Sequence, residues 1–130
     1  MGIEQGERFI IDILICYNKV FKMIELAEKF VFHIPLYKYS SGELVSIELD
    51  GLLDELKGEF HDNGFDSLYI SEVKSMYKSR CFDELLITLF ADSKLPAEIF
   101  EVWFRKNNDV LGQESFGYEL ANRMIIHDLM

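Results

Sequence analysis

The feature that most constrains this chain is an apolar stripe running through residues 3–32. Ile10, Ile13, Tyr17, Val20, Ile24, Ala27 and Val31 recur at steps of three and four. Phe9, Cys16, Met23 and Phe30 widen the stripe, and Asn18, Lys22, Glu25 and Lys29 form an opposite polar face. Arg8–Asp12 and Glu25–Lys29 have the i,i+4 spacing of helical ion pairs. The period predicts a long amphipathic helix. Unbroken, it would be about 40 Å long at 1.5 Å per residue, enough to be the spine of a bundle. Pro35 ends the pattern, because the residue before a proline avoids the helical region.

The next segment has two solutions. Leu36, Lys38 and Ser40 alternate with Tyr37 and Tyr39, Val45, Ile47 and Leu49 alternate with Ser46 and Glu48, and Ser40-Ser41-Gly42-Glu43 has turn chemistry. That is a hairpin signature over 34–49. A helix from Glu43 would also place Val45, Leu49, Leu52, Leu53, Leu56 and Phe60 at helical spacing. The pattern predicts a short hairpin, then a helix from about Asp50 to His61 with Gly64 as its terminating glycine.

The remaining chain reads as short helices. Ser71 caps one running to Ser79, with Val73, Met76 and Tyr77 inward. Phe82 to Phe90 is a second apolar run. Pro96 suits a first turn; Glu98 and Glu101 lie near the positive end of that helix, Arg105 and Lys106 near its negative end, and Asn107-Asn108 should stop it. Phe100, Trp103 and Phe104 are expected in its core face. Gly112 marks a loop, and Phe116 to Leu129 is a last helix with Phe116, Leu120 and Met124 on one face and a Glu119–Arg123 pair. The expected fold is therefore mainly α: one domain over 1–130, five to six helices around the N-terminal one, with one small hairpin. At 130 residues and 49% hydrophobic, the chain is long and apolar enough for such a core.

Charge narrows function. The net charge of −10 opposes nucleic acid as the main partner, since phosphate binding needs clustered Lys and Arg. It is also uneven. Glu43, Glu48, Asp50, Asp54, Glu55, Glu59, Asp62 and Asp66 are opposed only by Lys57, which puts −7 into 24 residues. Glu48, Glu55, Glu59 and Asp62 share one helical stripe, opposite Leu49, Leu53, Leu56 and Phe60. Either this is a solvated face or it docks a basic protein, where charge speeds encounter and sorts partners. The docking reading gives Glu48, Asp50, Asp54, Glu55, Glu59, Asp62 and Asp66 as partner-binding residues, with Tyr37 and Tyr39 as apolar anchors.

Catalytic signatures are missing: there is no phosphate-binding glycine loop, H-E-x-x-H, G-x-S-x-G or C-x-x-C. Of the three histidines, His33 reads as a helix end, His127 lies one helical turn from Arg123, and His61 has carboxylates close by on both sides, Glu59 and Asp62. Cys16 and Cys81 sit among apolar neighbours, as buried thiols of a reducing compartment do. No secretory signal or membrane span is legible, and no metal or cofactor is expected. Gly64-Phe65-Asp66-Ser67-Leu68 resembles the Asp-Ser-Leu attachment site of acyl carrier proteins. That resemblance implies Ser67 at a helix start, carrying a phosphopantetheine arm; the Lys74, Lys78 and Arg80 that follow depart from the family's acidic helix. The preferred expectation is a cytoplasmic, non-enzymatic inhibitor of the immunity-protein or antitoxin kind, covering a basic, nuclease-type bacterial toxin. The alternatives are an acyl-carrier-like domain, a small helical enzyme or an oligomeric structural protein.

Overall fold

The computed structural model describes residues 23–77 and 79–130. The helical bundle expected from the sequence gives way to a mainly β architecture. Among the described residues the order is β1 (Glu28–Pro35), β2 (Tyr37–Ser40), β3 (Glu43–Ser46), α1 (Asp50–Asp62), β4 (Leu68–Tyr77), β5 (Arg80–Ala91), α2 (Leu95–Leu111), β6 (Ser115–Leu120) and β7 (Arg123–Asp128). Five strands form one antiparallel sheet in the order β4-β5-β1-β6-β7, while β2 and β3 make a separate hairpin. The connections β1–α1–β4 and β5–α2–β6 each join parallel strands through a helix, so two β-α-β units interleave as in split βαβ sheets.

The long first helix is corrected where it can be seen. Residues 1–22 lie outside the described residues, but Glu28–Pro35 is the central strand. Its side chains alternate: Phe30, Phe32 and Ile34 are fully buried, whereas Val31, His33 and Pro35 are half-buried on the other face. Period 2 wins over period 3.6 because strand geometry buries all three large side chains on one side, with a hydrogen-bonded neighbour on each edge.

Three further helix expectations fail for related reasons. Residues 71–77 fall in β4, which pairs with β5 from Leu68↔Leu89 to Tyr77↔Arg80, and residue 78 lies outside the described residues. Phe82–Phe90 lies within β5, where Leu85 to Phe90 has apolar residues on both faces, as in a strand enclosed by neighbours. Such a run cannot be separated from a buried helix by periodicity alone. Residues 116–129 are a hairpin: Phe116, Tyr118 and Leu120 point inward, and Ala121 and Asn122 turn the chain with φ of 54° and 63°. Positive φ at both central residues matches the twist of the flanking strands. Glu119 and Arg123 thus flank a turn and are not a helical pair. Cys81, expected buried, is exposed near the β4–β5 turn; Cys16 lies outside the described residues.

Other elements fall where the sequence places them. The hairpin turns at Ser41 and Gly42, with φ of 55° and 80°. Helix α1 ends in paired bonds, Gly64 N–H to the His61 carbonyl and Phe65 N–H to the Phe60 carbonyl, each 2.9 Å. Gly64 at φ 84° permits that geometry. Pro96 stands in the first turn of α2, which runs past Asn107 and Asn108 to Gly112 at φ 64°. The Asn107 side chain donates back to the Trp103 carbonyl, so it supports the helix instead of ending it.

The core lies between the helices and one face of the sheet. Phe32 is its hub: its ring lies 5.6 Å from Phe30, 5.6 Å from Phe60 of α1, 4.5 Å from Phe100 of α2 and 5.7 Å from Tyr118 of β6. As expected, Phe100, Trp103 and Phe104 are buried. The Trp103 indole N–H donates to the Leu52 carbonyl at 2.9 Å, which ties α2 to α1 while satisfying the one polar atom of that side chain.

Candidate functional site

Two regions carry chemistry. The first is the acidic stretch. Glu48 and Asp50 are exposed at the start of α1; Asp54, Glu59 and Asp62 are exposed along it; Asp66 is exposed just after it. Several of these acids serve internal contacts. Glu55 accepts from Lys106 and, at 3.2 Å, from Asn107, both on α2. Lys106 first, then Asn107, hold the Glu55 carboxyl below the usual carboxylate range. Asp54 lies 3.6 Å from Lys57, and Asp66 lies 2.7 Å from His61 Nδ1 and keeps that imidazole above its usual pKa. Tyr37 is exposed on β2 and its carbonyl accepts from Gln113, while the Tyr39 hydroxyl accepts from Arg80 at 2.8 Å. The stretch is thus partly a helix–helix fastening and partly an open acidic surface. Ser67 precedes strand β4 and its carbonyl accepts the Phe90 N–H. The helix start that the acyl-carrier resemblance requires is not there.

The second region emerges only from the sheet. Alternation sends His33 of β1 to the face opposite the helices. Cross-strand partners share a face, and the register sets Glu84 of β5 opposite Pro35 and Glu119 of β6 opposite Val31, so both carboxylates flank His33 diagonally. His33 Nδ1 lies 3.1 Å from Glu84 Oε1, and Nε2 lies 2.7 Å from Glu119 Oε2. Ser75 of β4 donates to the second Glu84 oxygen at 2.5 Å. Four residues from four strands are thereby linked in one line across the sheet.

The electrostatics follow from that geometry. Hydrogen bonding to Glu84 raises the His33 pKa most; burial opposes it, and Glu119 adds to the rise. His33 holds Glu84 below the usual carboxylate range, with a smaller contribution from Ser75. With His33 protonated and both carboxylates ionised, the three side chains sum to one negative charge. Glu84 uses both oxygens inside the cluster. Glu119 bonds His33 through one oxygen, and its second has no hydrogen bond to the described residues. The surroundings are apolar: Leu86 pairs across from His33, and Val31, Met124 and Ile126 share the face. Met124 and Ile126 are 49% and 64% exposed, so a ligand there would meet greasy surface beside a carboxylate. Among the described residues there is no group of three or more His, Cys, Asp or Glu arranged to hold a metal ion.

No family model matches the chain, and no curated protein matches it in sequence. Among solved structures it is similar to a phage SAM lyase determined in complex with S-methyl-5'-thioadenosine, with a TM-score of 0.52 and 9% identity over 82% of this chain and 93% of that one. At that identity the likeness is one of fold. No helix among the described residues is long and apolar enough to cross a membrane.

Proposed function

We propose that this protein binds a sulfonium nucleoside of the SAM type and cleaves it, with the His33–Glu84–Glu119 cluster as its site. One observation carries the reading: two carboxylates from neighbouring strands converge on a half-buried His33, on the sheet face opposite the described helices, and the cluster keeps a net negative charge even with His33 protonated. Such a site attracts a cation. The fold likeness supports it, because that neighbour is a SAM lyase found with a thioether nucleoside. In a lyase of this kind the C–S bond breaks with its electron pair going to sulfur, so a cation becomes a neutral thioether. The released carbon fragment completes its valence from its own carboxylate or by losing a proton. Here Glu119, whose second oxygen has no hydrogen bond to the described residues, faces the ligand's positive charge. Glu84 and Ser75 hold His33, and His33 holds Glu119. Apolar neighbours lower the local dielectric and strengthen that attraction.

The test is incubation with SAM and chromatographic detection of S-methyl-5'-thioadenosine, with calorimetry for binding of both compounds. Product is expected, and Glu119→Gln should slow its formation about 100-fold. Absence of both binding and product at millimolar SAM overturns the proposal.

A second reading has its own observation. Glu48, Asp50, Asp54, Glu59 and Asp62 form an exposed acidic surface, as docking of a basic protein such as a nuclease toxin requires. Glu59→Lys with Asp62→Lys should weaken capture of such a partner while leaving thermal unfolding unchanged. Unaltered capture removes the acidic stretch as the interface.

A further inference from the structure

Helix α2 carries more apolar surface than the sheet covers. Its core face, Phe100, Trp103, Phe104 and Leu111, is buried. A second stripe runs beside it, with Leu95, Ile99 and Val102 at helical spacing and facing the groove between α1 and α2. Val102 is 66% exposed and Leu95 38%, an unusual use of two aliphatics on a helix that has polar residues to spend there. The groove holds about 310 Å³. One wall of Trp103 forms part of its lining, and the Glu55–Lys106 pair crosses one end. The remaining rim is acidic: Glu59 of α1 and Glu98 of α2 stand on either side.

We propose that this groove is a docking site for a basic amphipathic helix of another protein, one presenting aliphatic side chains on one stripe and Lys or Arg beside them. The inference rests on the second reading above and narrows it from the whole acidic stretch to one groove. Two features select this occupant. An apolar floor takes aliphatic anchors at i, i+4 spacing, the helix-in-groove mode of recognition. Acids line both rims, and the one lysine lining the groove is already paired with Glu55, so the charge complement of the rim is cationic. A second acidic helix would be repelled, and a purely polar basic segment would leave Val102 and Leu95 wet. The site replaces the tyrosine anchors expected from the sequence with α2 aliphatics.

Trp103 is the only tryptophan in the chain and lines the groove, so its emission reports occupancy. The experiment titrates the full chain with three helical peptides: leucine with lysine, leucine with glutamate, and serine with lysine. The leucine–lysine peptide is expected to shift Trp103 emission at least tenfold more tightly than the other two, with affinity falling as salt rises. Val102→Ser and, separately, Glu98→Lys should each weaken it about tenfold, and Val102 is exposed enough that its variant keeps the fold. If the peptide binds but these variants change nothing while Asp50→Lys weakens it, the groove inference falls and the broader acidic-surface reading stands. If no lysine peptide binds, both fall. If the leucine–glutamate peptide binds equally, charge selects nothing and the groove inference is overturned.

Discussion

The two faces of the five-stranded sheet are built from the same strands and do opposite things. On the helix side, Phe30, Phe32, Ile34, Ile87 and Leu89 are fully buried in one hydrophobic cluster. On the other side, the residues between them bring an imidazole, two carboxylates and a hydroxyl into contact across four strands. Phe32 and His33 are consecutive in the chain, yet one is the hub of the core and the other the hub of a polar cluster. The contrast teaches how a small sheet divides labour: one face supplies stability, which frees the other to hold charges that a core would not tolerate.

The sharpest way to break this contrast is to truncate both faces. Phe32→Ala should cost about 3–5 kcal/mol, because it empties a site enclosed by four aromatic rings. Leu86→Ala, on the half-buried face, should cost less than half of that. Urea unfolding of both variants measures it, and equal losses would mean the second face is as much a core as the first.

Next in size is the effect of acidity on the polar cluster. The His33 pKa is raised in the fold, so its stabilising contribution is complete below the unfolded imidazole value of about 6.5 and is lost as pH rises through the folded value. The Glu84 pKa is lowered, so its contribution is present above the unfolded value of about 4.3 and is lost as pH falls through the folded one. Thermal unfolding should therefore peak between those two limits. His33→Gln should flatten the alkaline fall, and a wild-type Tm that does not drop on the alkaline side would contradict the linkage.

Glu84→Gln sharpens the assignment further. Removing the largest cause should lower the His33 pKa, read from its imidazole proton shifts by NMR. The unfolding free energy should move far less than with Phe32→Ala. A His33 pKa that stays put would make Glu119 the governing partner. The smallest effect is expected at the β6–β7 turn. Ala121 holds a φ of 54° that asparagine adopts more readily. Ala121→Asn should therefore stabilise by a few tenths of a kcal/mol, measured as a small rise in Tm.

Much of the helical part was legible in the sequence. Leu49, Leu56 and Phe60 gave α1 its spacing, Gly64 its end, and Pro96 the start of α2, because helix signals are local. The sheet was not, for a specific reason. In β5 the run Leu85-Leu86-Ile87-Thr88-Leu89-Phe90 has apolar residues on both faces, which hides the alternation. In β1 the alternating Phe30, Phe32 and Ile34 continue a helical stripe from the residues before them. The polar cluster was less legible still. His33 was visible only as the end of a helix, Ser75 as part of another, and Glu119 as a helical partner of Arg123. Glu84 carried no signal. The four lie up to 86 residues apart in the sequence, and only strand pairing brings them together.

The place of β1 in the sheet also shapes how the chain reaches its fold. Both neighbours of this central strand come later, β5 at residues 80–91 and β6 at 115–120. The β4–β5 and β6–β7 hairpins close over short loops and can form within microseconds. β1 must wait for partners some 50 to 90 residues downstream, and such distant pairings slow the search for the native topology. On a ribosome, Phe30, Phe32 and Ile34 would emerge early, with one strand edge unpaired until residue 91 is free and the other until residue 120 is free. The strand that positions His33 is therefore also the segment most exposed to wrong partners during synthesis.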